Sequence, residues 1–421
     1  MSYELRIPSK MRIRSNKEFW ISLIILIPYF DFYSIIGWME VYFKESYLRS
    51  VVSLLLVLTV VVWLSIGIKT RFVRHRDERN AALGTLVILL VYMLVVNLFK
   101  EPDSTFFSVF MWFAIPACFA MSIYQYCKVY SLRIDKIITY SLQVFSVYLL
   151  VLIFINIVKN KLFIDMSVRM DPRGGGAVIF GYTIAFLFSL LINYKYFFSI
   201  KKYYFLMIVF TIGVIATQSR GAMWPVALLW IISFLRKKFK LWEIFLIMFV
   251  FVAAVSIDWM SILKEYLPRF LNNHDEARSI NLGYLTLIFF NSDTLTKLFG
   301  YGIGKFFPYQ RWIMSMMNVT AQKSNLFNSN GYSILVQPHN SFFYMLIEGG
   351  IIVVILFLLI LFLLIIRKYK KVSISIINIM PFLLCLVLNN LDSIFFVEPG
   401  VAAVFWLLLF LYSDDCEKLE Q

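Results

Sequence analysis

The chain has 421 residues, of which 61% are hydrophobic, 18% aromatic and only 15% charged, and its mean hydropathy is +0.78. A soluble domain carries roughly 25% charged residues, so this composition excludes a soluble enzyme on a single anchor. The net charge of +15 sits in short tracts between apolar blocks, a pattern that orients a membrane protein and excludes a nucleic-acid-binding face.

The apolar blocks are near the ~20 residues that carry a helix across ~30 Å of hydrocarbon. Alternating barrel strands are absent, and helices satisfy their own backbone hydrogen bonds in lipid. The expected fold is an all-α polytopic transmembrane bundle of about 12 spans, one membrane domain over 1–421. Block 19–38 follows a basic leader and lacks a small-residue cleavage site, which predicts a retained span. Further spans are expected at 48–68, 81–99, 106–126, 137–157 and 176–193. Residues 203–235 can form one long span or two short ones broken at Thr217-Gln218-Ser219-Arg220-Gly221. The remaining spans are expected at 241–257, 342–365, 373–390 and 394–412.

Charge decides the ambiguous segment. The leader (Arg6 to Lys17), the 69–80 loop, Lys128 to Lys136, Lys195 to Lys202, Arg236 to Lys240 and Arg367 to Lys371 are all basic. Two spans, 203–218 and 220–235, keep every one of these tracts on one side. The positive-inside rule then makes that side, with both termini, cytoplasmic. The loops near 40–47, 100–105 and 391–399 carry Glu40, Glu45, Glu101, Asp103, Asp392 and Glu398 on the other side. One large loop, 258–341, is expected to be periplasmic. Its apolar stretches Leu282–Phe290 and Phe306–Met317 are too short to span and predict interfacial helices.

Cys118, Cys127, Cys385 and Cys416 lie in spans or on the basic side, so no disulfide framework is expected. His75, His274 and His339 are dispersed, without metal-ligand spacing. No nucleotide loop, dinucleotide fingerprint or nucleophile elbow occurs. Neither metal nor cofactor is expected.

What remains is a set of polar groups at the outer edge. Arg220 lies between the two short spans, where an arginine costs roughly 2.5–3.5 kcal/mol to insert at membrane depth. It either snorkels to headgroups or offers its planar fork to a buried anion. Gly221 and Pro225 fit a tight turn and a restarted helix. His339, in Gln-Pro-His-Asn-Ser-Phe, can cap a helix or take a proton from a hydroxyl. Arg278, in Asp-Glu-Ala-Arg-Ser, reads equally as a solvated charge. Arg169 and Arg173, in Arg-Met-Asp-Pro-Arg-Gly-Gly-Gly, flank either a flexible turn or an anion-binding nest.

Three motifs occur in a telling order: TQSRGA at 217–222, Arg278 followed by LFGYGIGKF at 298–306, and PHNSFFYMLIEGGII at 338–352. Over roughly residues 165–370 the chain resembles the O-antigen ligase and polymerase superfamily of bacterial surface-polysaccharide assembly. The RMDPRGGG segment is similar to an upstream family element but lacks its Gly-Asn-Pro-Asn-like form. The resemblance implies a GT-C-like, metal-independent inverting glycosyltransferase at the periplasmic face of the inner membrane. Its donor would be a glycan on undecaprenyl diphosphate. Arg220 and Arg278 would hold the diphosphate and His339 would act as general base. Arg169, Arg173, Ser219 and Asn340 would contact substrate, and Tyr301, Tyr309, Trp312 and Tyr332 could stack on sugar. The acceptor would be another lipid-linked repeat unit (a polymerase) or lipid A-core (a ligase). Expected partners are the lipid membrane, a chain-length regulator and a flippase. A transporter or flippase is the reading from another class, which an internal repeat would favour; none is evident.

Overall fold

In hydrocarbon each backbone N–H and C=O needs a partner within the protein, and the helix supplies both from its own segment. The computed structural model describes residues 9–26, 57–59, 61–62, 79–99, 104–162, 169–170, 177–234, 283, 285–303, 340–371, 376–391 and 399–414, and among the described residues there is no strand. The helices are α1 (Ser9–Leu26), α2 (Arg79–Phe99), α3 (Ser104–Val129), α4 (Ile134–Asn160), α5 (Ala177–Asn193), α6 (Ile200–Thr217) and α7 (Arg220–Phe234). They continue as α8 (Thr294–Phe299), α9 (Ser341–Lys371), α10 (Ile376–Leu391) and α11 (Pro399–Asp414). Residues 285–291 are also helical, where an interfacial helix is expected. The 241–257 span, Phe306–Met317 and most of the 258–341 loop lie outside the described residues.

Among the described residues, α4, α6 and the Ser341–Leu363 part of α9 are long and apolar enough to cross a membrane, and shorter apolar helices accompany them. Their outer faces make the case independently. Val147, Val151, Phe154 and Val158 on α4 are exposed, as are Phe205, Ile208, Ile212 and Ile215 on α6. Both sets recur every three or four residues, one stripe per helix, opposite buried stripes such as Leu142, Phe145, Leu149 and Leu152. Such contiguous apolar surface is unsuited to water and suited to lipid. Hydroxyls inside the bundle turn back to their own helices. Ser122 donates to the Cys118 carbonyl at 2.7 Å, Ser141 to Ile137 at 3.0 Å, Thr183 to Ile179 at 3.1 Å and Thr211 to Met207 at 2.8 Å. That is how an apolar surrounding tolerates them. The chain is a helical membrane protein.

Side-chain contacts fix the helix directions. The Glu18 carboxylate accepts from the Arg133 N–H at 2.9 Å, and Ser141 reaches the Ser22 carbonyl at 3.3 Å, so α1 and α4 run parallel. Phe145 meets Phe210 at 5.8 Å, and a Cβ on Gly213 would meet Leu149 at 2.5 Å, so α4 and α6 run parallel too. The Trp230 indole donates to Thr211 at 2.8 Å. In one continuous helix these two residues would stand about 28 Å apart, so the chain reverses between α6 and α7. The two-span expectation for 203–235 describes the structure, and the break falls at Gln218.

One end of the bundle therefore gathers Lys17, Lys128, Lys136, Lys195, Lys201 and Lys202. Tyrosines accompany them: Lys17 lies 4.4 Å from the Tyr130 ring centre and Lys128 4.9 Å from Tyr124. Basic and aromatic residues together mark a membrane interface. The 217–220 corner lies at the other end.

Glu18 is 1% exposed, and besides the Arg133 N–H it lies 4.0 Å from Lys136. Glu18→Ala removes the acceptor that ties α1 to the start of α4. It should cost about 1–3 kcal/mol, read as a lowered Tm in detergent, and Glu18→Gln, which keeps an acceptor oxygen, should lose less.

Candidate functional site

The corner is built by short polar side chains standing in for helix bonds. α6 ends at Thr217, and Gln218 takes the left-handed conformation (φ 51, ψ 29), its N–H donating to Ile215 at 2.9 Å. The Thr217 hydroxyl donates to the Val214 carbonyl at 2.7 Å and accepts from the Ser219 N–H at 3.3 Å. The Ser219 carbonyl then accepts from Ala222 and Met223, which opens α7. Its hydroxyl donates to the Val178 carbonyl at 3.3 Å, in the first turn of α5.

Glycines let α5 and the corner approach this closely. A Cβ on Gly181 would meet Ser219 at 2.5 Å and Thr217 at 2.7 Å, and one on Gly221 would run into the Tyr182 hydroxyl. Ser219 is 1% exposed. Arg220, the first residue of α7, is half-buried.

The N-termini of α5 and α7 lie together, and neither carries a carboxylate in its first turn. Each contributes roughly +0.5 of an elementary charge, while the C-terminus of α6, which ends at Thr217 in the same corner, contributes roughly −0.5 close to Arg220. Met170, fully buried, donates its N–H to the Ala216 carbonyl at 2.8 Å, which brings exposed Arg169 to the same end. Oriented N–H groups and planar guanidinium forks suit a phosphate or diphosphate.

The corner sits low beside its neighbour. From the level where Leu149 faces Gly213, α4 continues about 16 Å to Asn160, while α6 ends after about 6 Å. Arg220 thus lies about 10 Å below the tip of α4, by the same helical rise.

A second cluster stands at the same end. The Tyr92 hydroxyl donates to the Leu298 carbonyl at 3.5 Å, and Tyr92 stacks on Phe299 at 6.3 Å. α2 leads through the short 100–103 connection into α3, whose far end carries Lys128, so this cluster also lies away from the lysines. Asp293 caps α8, accepting from the Thr296 N–H at 3.4 Å, and these bonds hold its carboxyl below the usual aspartate range. The cap therefore persists through neutral pH and is lost only as pH falls through that lowered value.

Gly300 and Gly350 face each other with matching backbones, φ 74 and 75. A Cβ on Gly300 would strike the Glu348 carbonyl, and one on Gly350 the Leu298 carbonyl. The Tyr301 N–H donates to Ile347 and the Gly302 N–H to Glu348, both at 2.9 Å. The LFGYG and EGG motifs, read separately in the sequence, are two halves of one contact.

Of the sequence-derived site residues, Ser219, Arg220 and Arg169 come together. Asn340 lies at the start of α9, where its side-chain oxygen accepts from Phe342 at 2.9 Å and Phe343 at 3.1 Å. It is a helix N-cap in this structure. Tyr301 is half-buried, its hydroxyl against Ser292. Arg173, Arg278, His339, Tyr309, Trp312 and Tyr332 lie outside the described residues.

Close approach at the corner predicts a contrast between two glycines. Gly181→Ala should destabilise by about 1–3 kcal/mol through overpacking. Gly84→Ala, with nothing within 4 Å of the added carbon, should be neutral or stabilise by up to about 1 kcal/mol. Thermal melts in detergent check both. No family model matches the chain and no curated protein matches it, so the reading of the site rests on its geometry and on the motifs at that end of the bundle.

Proposed function

We propose that the chain is an O-antigen polymerase of the inner membrane, with about 12 spans, both termini cytoplasmic and its active site periplasmic. It would transfer glycan from undecaprenyl diphosphate to a sugar hydroxyl of another lipid-linked repeat unit. The observation that carries this reading is the Met170–Ala216 bond, which puts Arg169 near the corner formed by Ser219 and Arg220, at the end of the bundle away from the lysines. The order of the TQSRGA, LFGYGIGKF and PHNSFF motifs gives it its family.

A sugar on a lipid diphosphate is already activated, so the protein has to stabilise the leaving group and place the acceptor. The acceptor oxygen attacks the anomeric carbon from the face opposite the phosphate, and the bond to the phosphate oxygen breaks. The electron pair leaves with undecaprenyl diphosphate, whose charge Arg220 and Arg278 hold. The hydroxyl proton passes to His339. Arg169 and Arg173 line the donor's approach. Ser219, buried and bonded to Val178, holds the corner against α5 instead of touching substrate, and Asn340 fixes the helix start next to His339. No metal or cofactor enters the step.

A ligase would use the same donor chemistry with lipid A-core as acceptor, and the resemblance of the His339-Asn340 element to that of ligases favours it as second reading. Complementation separates them. A polymerase restores long chains to a polymerase-null strain, and a ligase restores polymer-bearing lipopolysaccharide to a ligase-null strain. A transporter rescues neither.

With purified protein and lipid-linked repeat units, Arg220→Ala should lower turnover about 100-fold or more, and Arg220→Lys nearly as much, because a point charge cannot replace a planar fork. His339→Ala should lose about 100-fold or more. Normal rescue by the Arg220, Arg278 and His339 variants together would overturn the site assignment.

A further inference from the structure

A straight α9 would pair the carbonyls of Ile347 and Glu348 with N–H groups one turn on. The backbone at Gly350 (φ 75, ψ −179) leaves the helix path, so those pairings are broken inside an apolar segment. An unmet backbone group there costs several kcal/mol. The 298–303 loop supplies the missing donors, Tyr301 N–H to Ile347 and Gly302 N–H to Glu348, each at 2.9 Å. It can do so because glycines face each other at the crossing, and a Cβ on either would occupy the other's backbone.

The loop is itself held from two sides. The Gly300 N–H donates to Thr296 at 2.7 Å, the Tyr92 hydroxyl reaches Leu298, and Ser292 meets the Tyr301 hydroxyl. The donors therefore stand at a fixed place relative to α2. The short first piece of α9, Ser341–Gly349, carries Asn340 as its cap, and His339 is the next residue in the chain.

We propose that the 298–303 loop is a positioning element: by donating to the two carbonyls freed at the Gly350 break, it sets the angle of the first piece of α9 and so the placing of its Asn340 cap. The inference rests on the glycosyltransferase reading for its consequence, not for its geometry. In this role Leu298 to Ile303 act through α9.

Two measurements on the full-length protein in detergent test it with Gly300→Ala. Hydrogen–deuterium exchange of the 341–349 amides should rise about tenfold or more, while 351–363 keep their protection. In the transfer assay kcat should fall about tenfold or more with donor KM within about twofold, since the diphosphate contacts are elsewhere. Exchange that rises evenly along α9, or not at all, overturns the proposal, and so does a loss confined to donor KM. Where Gly300→Ala does not accumulate in membranes, Ser292→Ala, which loosens the loop without adding an atom to the crossing, should move both readouts the same way by less. Failure of the glycosyltransferase reading would appear separately, as no glycan transfer by the unmodified protein, with the exchange result unaffected.

Discussion

The protein's architecture depends on one constraint: a backbone polar group inside an apolar surrounding has to find a partner. Most of the chain meets it by unbroken helix. The described apolar helices depart from that path at Gln218 and Gly350, and another segment arrives at each place. At the first, Thr217 and Ser219 turn their hydroxyls onto neighbouring backbone and Met170 closes on Ala216. At the second, Tyr301 and Gly302 do the same for α9. Irregular backbone at membrane depth is tolerated where protein surrounds it, and here both breaks coincide with the motifs that suggest chemistry.

The constraint also divides the bundle electrically. Lysines and tyrosines occupy one end, where ammonium groups lie over rings and near headgroups. The other end carries guanidinium groups near helix N-termini, a setting for a specific anion rather than a general surface charge. Positive charge thus stands at both ends of the bundle, in different chemical settings.

Much of this was legible in the sequence because it is local. Hydropathy gave the helices, and the α6–α7 break followed from Arg220 beside Gly221 together with the sidedness of basic tracts. Other features were not legible because their causes are distant. Gly300 and Gly350 need each other across about fifty residues of chain, and no local pattern reveals that pairing. Glu18 looks like one more charge in a basic leader, yet it is buried against the Arg133 N–H. α1 starts at Ser9, ahead of the expected span 19–38, and so carries part of the basic leader as helix. Asn340 has the residue type of a substrate contact, but its oxygen is taken by two backbone donors, a role its position before a helix also suggests.

The uneven heights of α4 and α6 bear on the lipid as well as the protein. From Tyr203 to Thr217, past its two lysines, α6 offers about 22 Å of greasy length, against about 30 Å of hydrocarbon in an ordinary bilayer. Its exposed stripe from Phe205 to Ile215 fits a thinner slab of hydrocarbon than the longer α4 does, a mismatch that costs a fraction of a kcal/mol per Å where the bilayer adjusts to it.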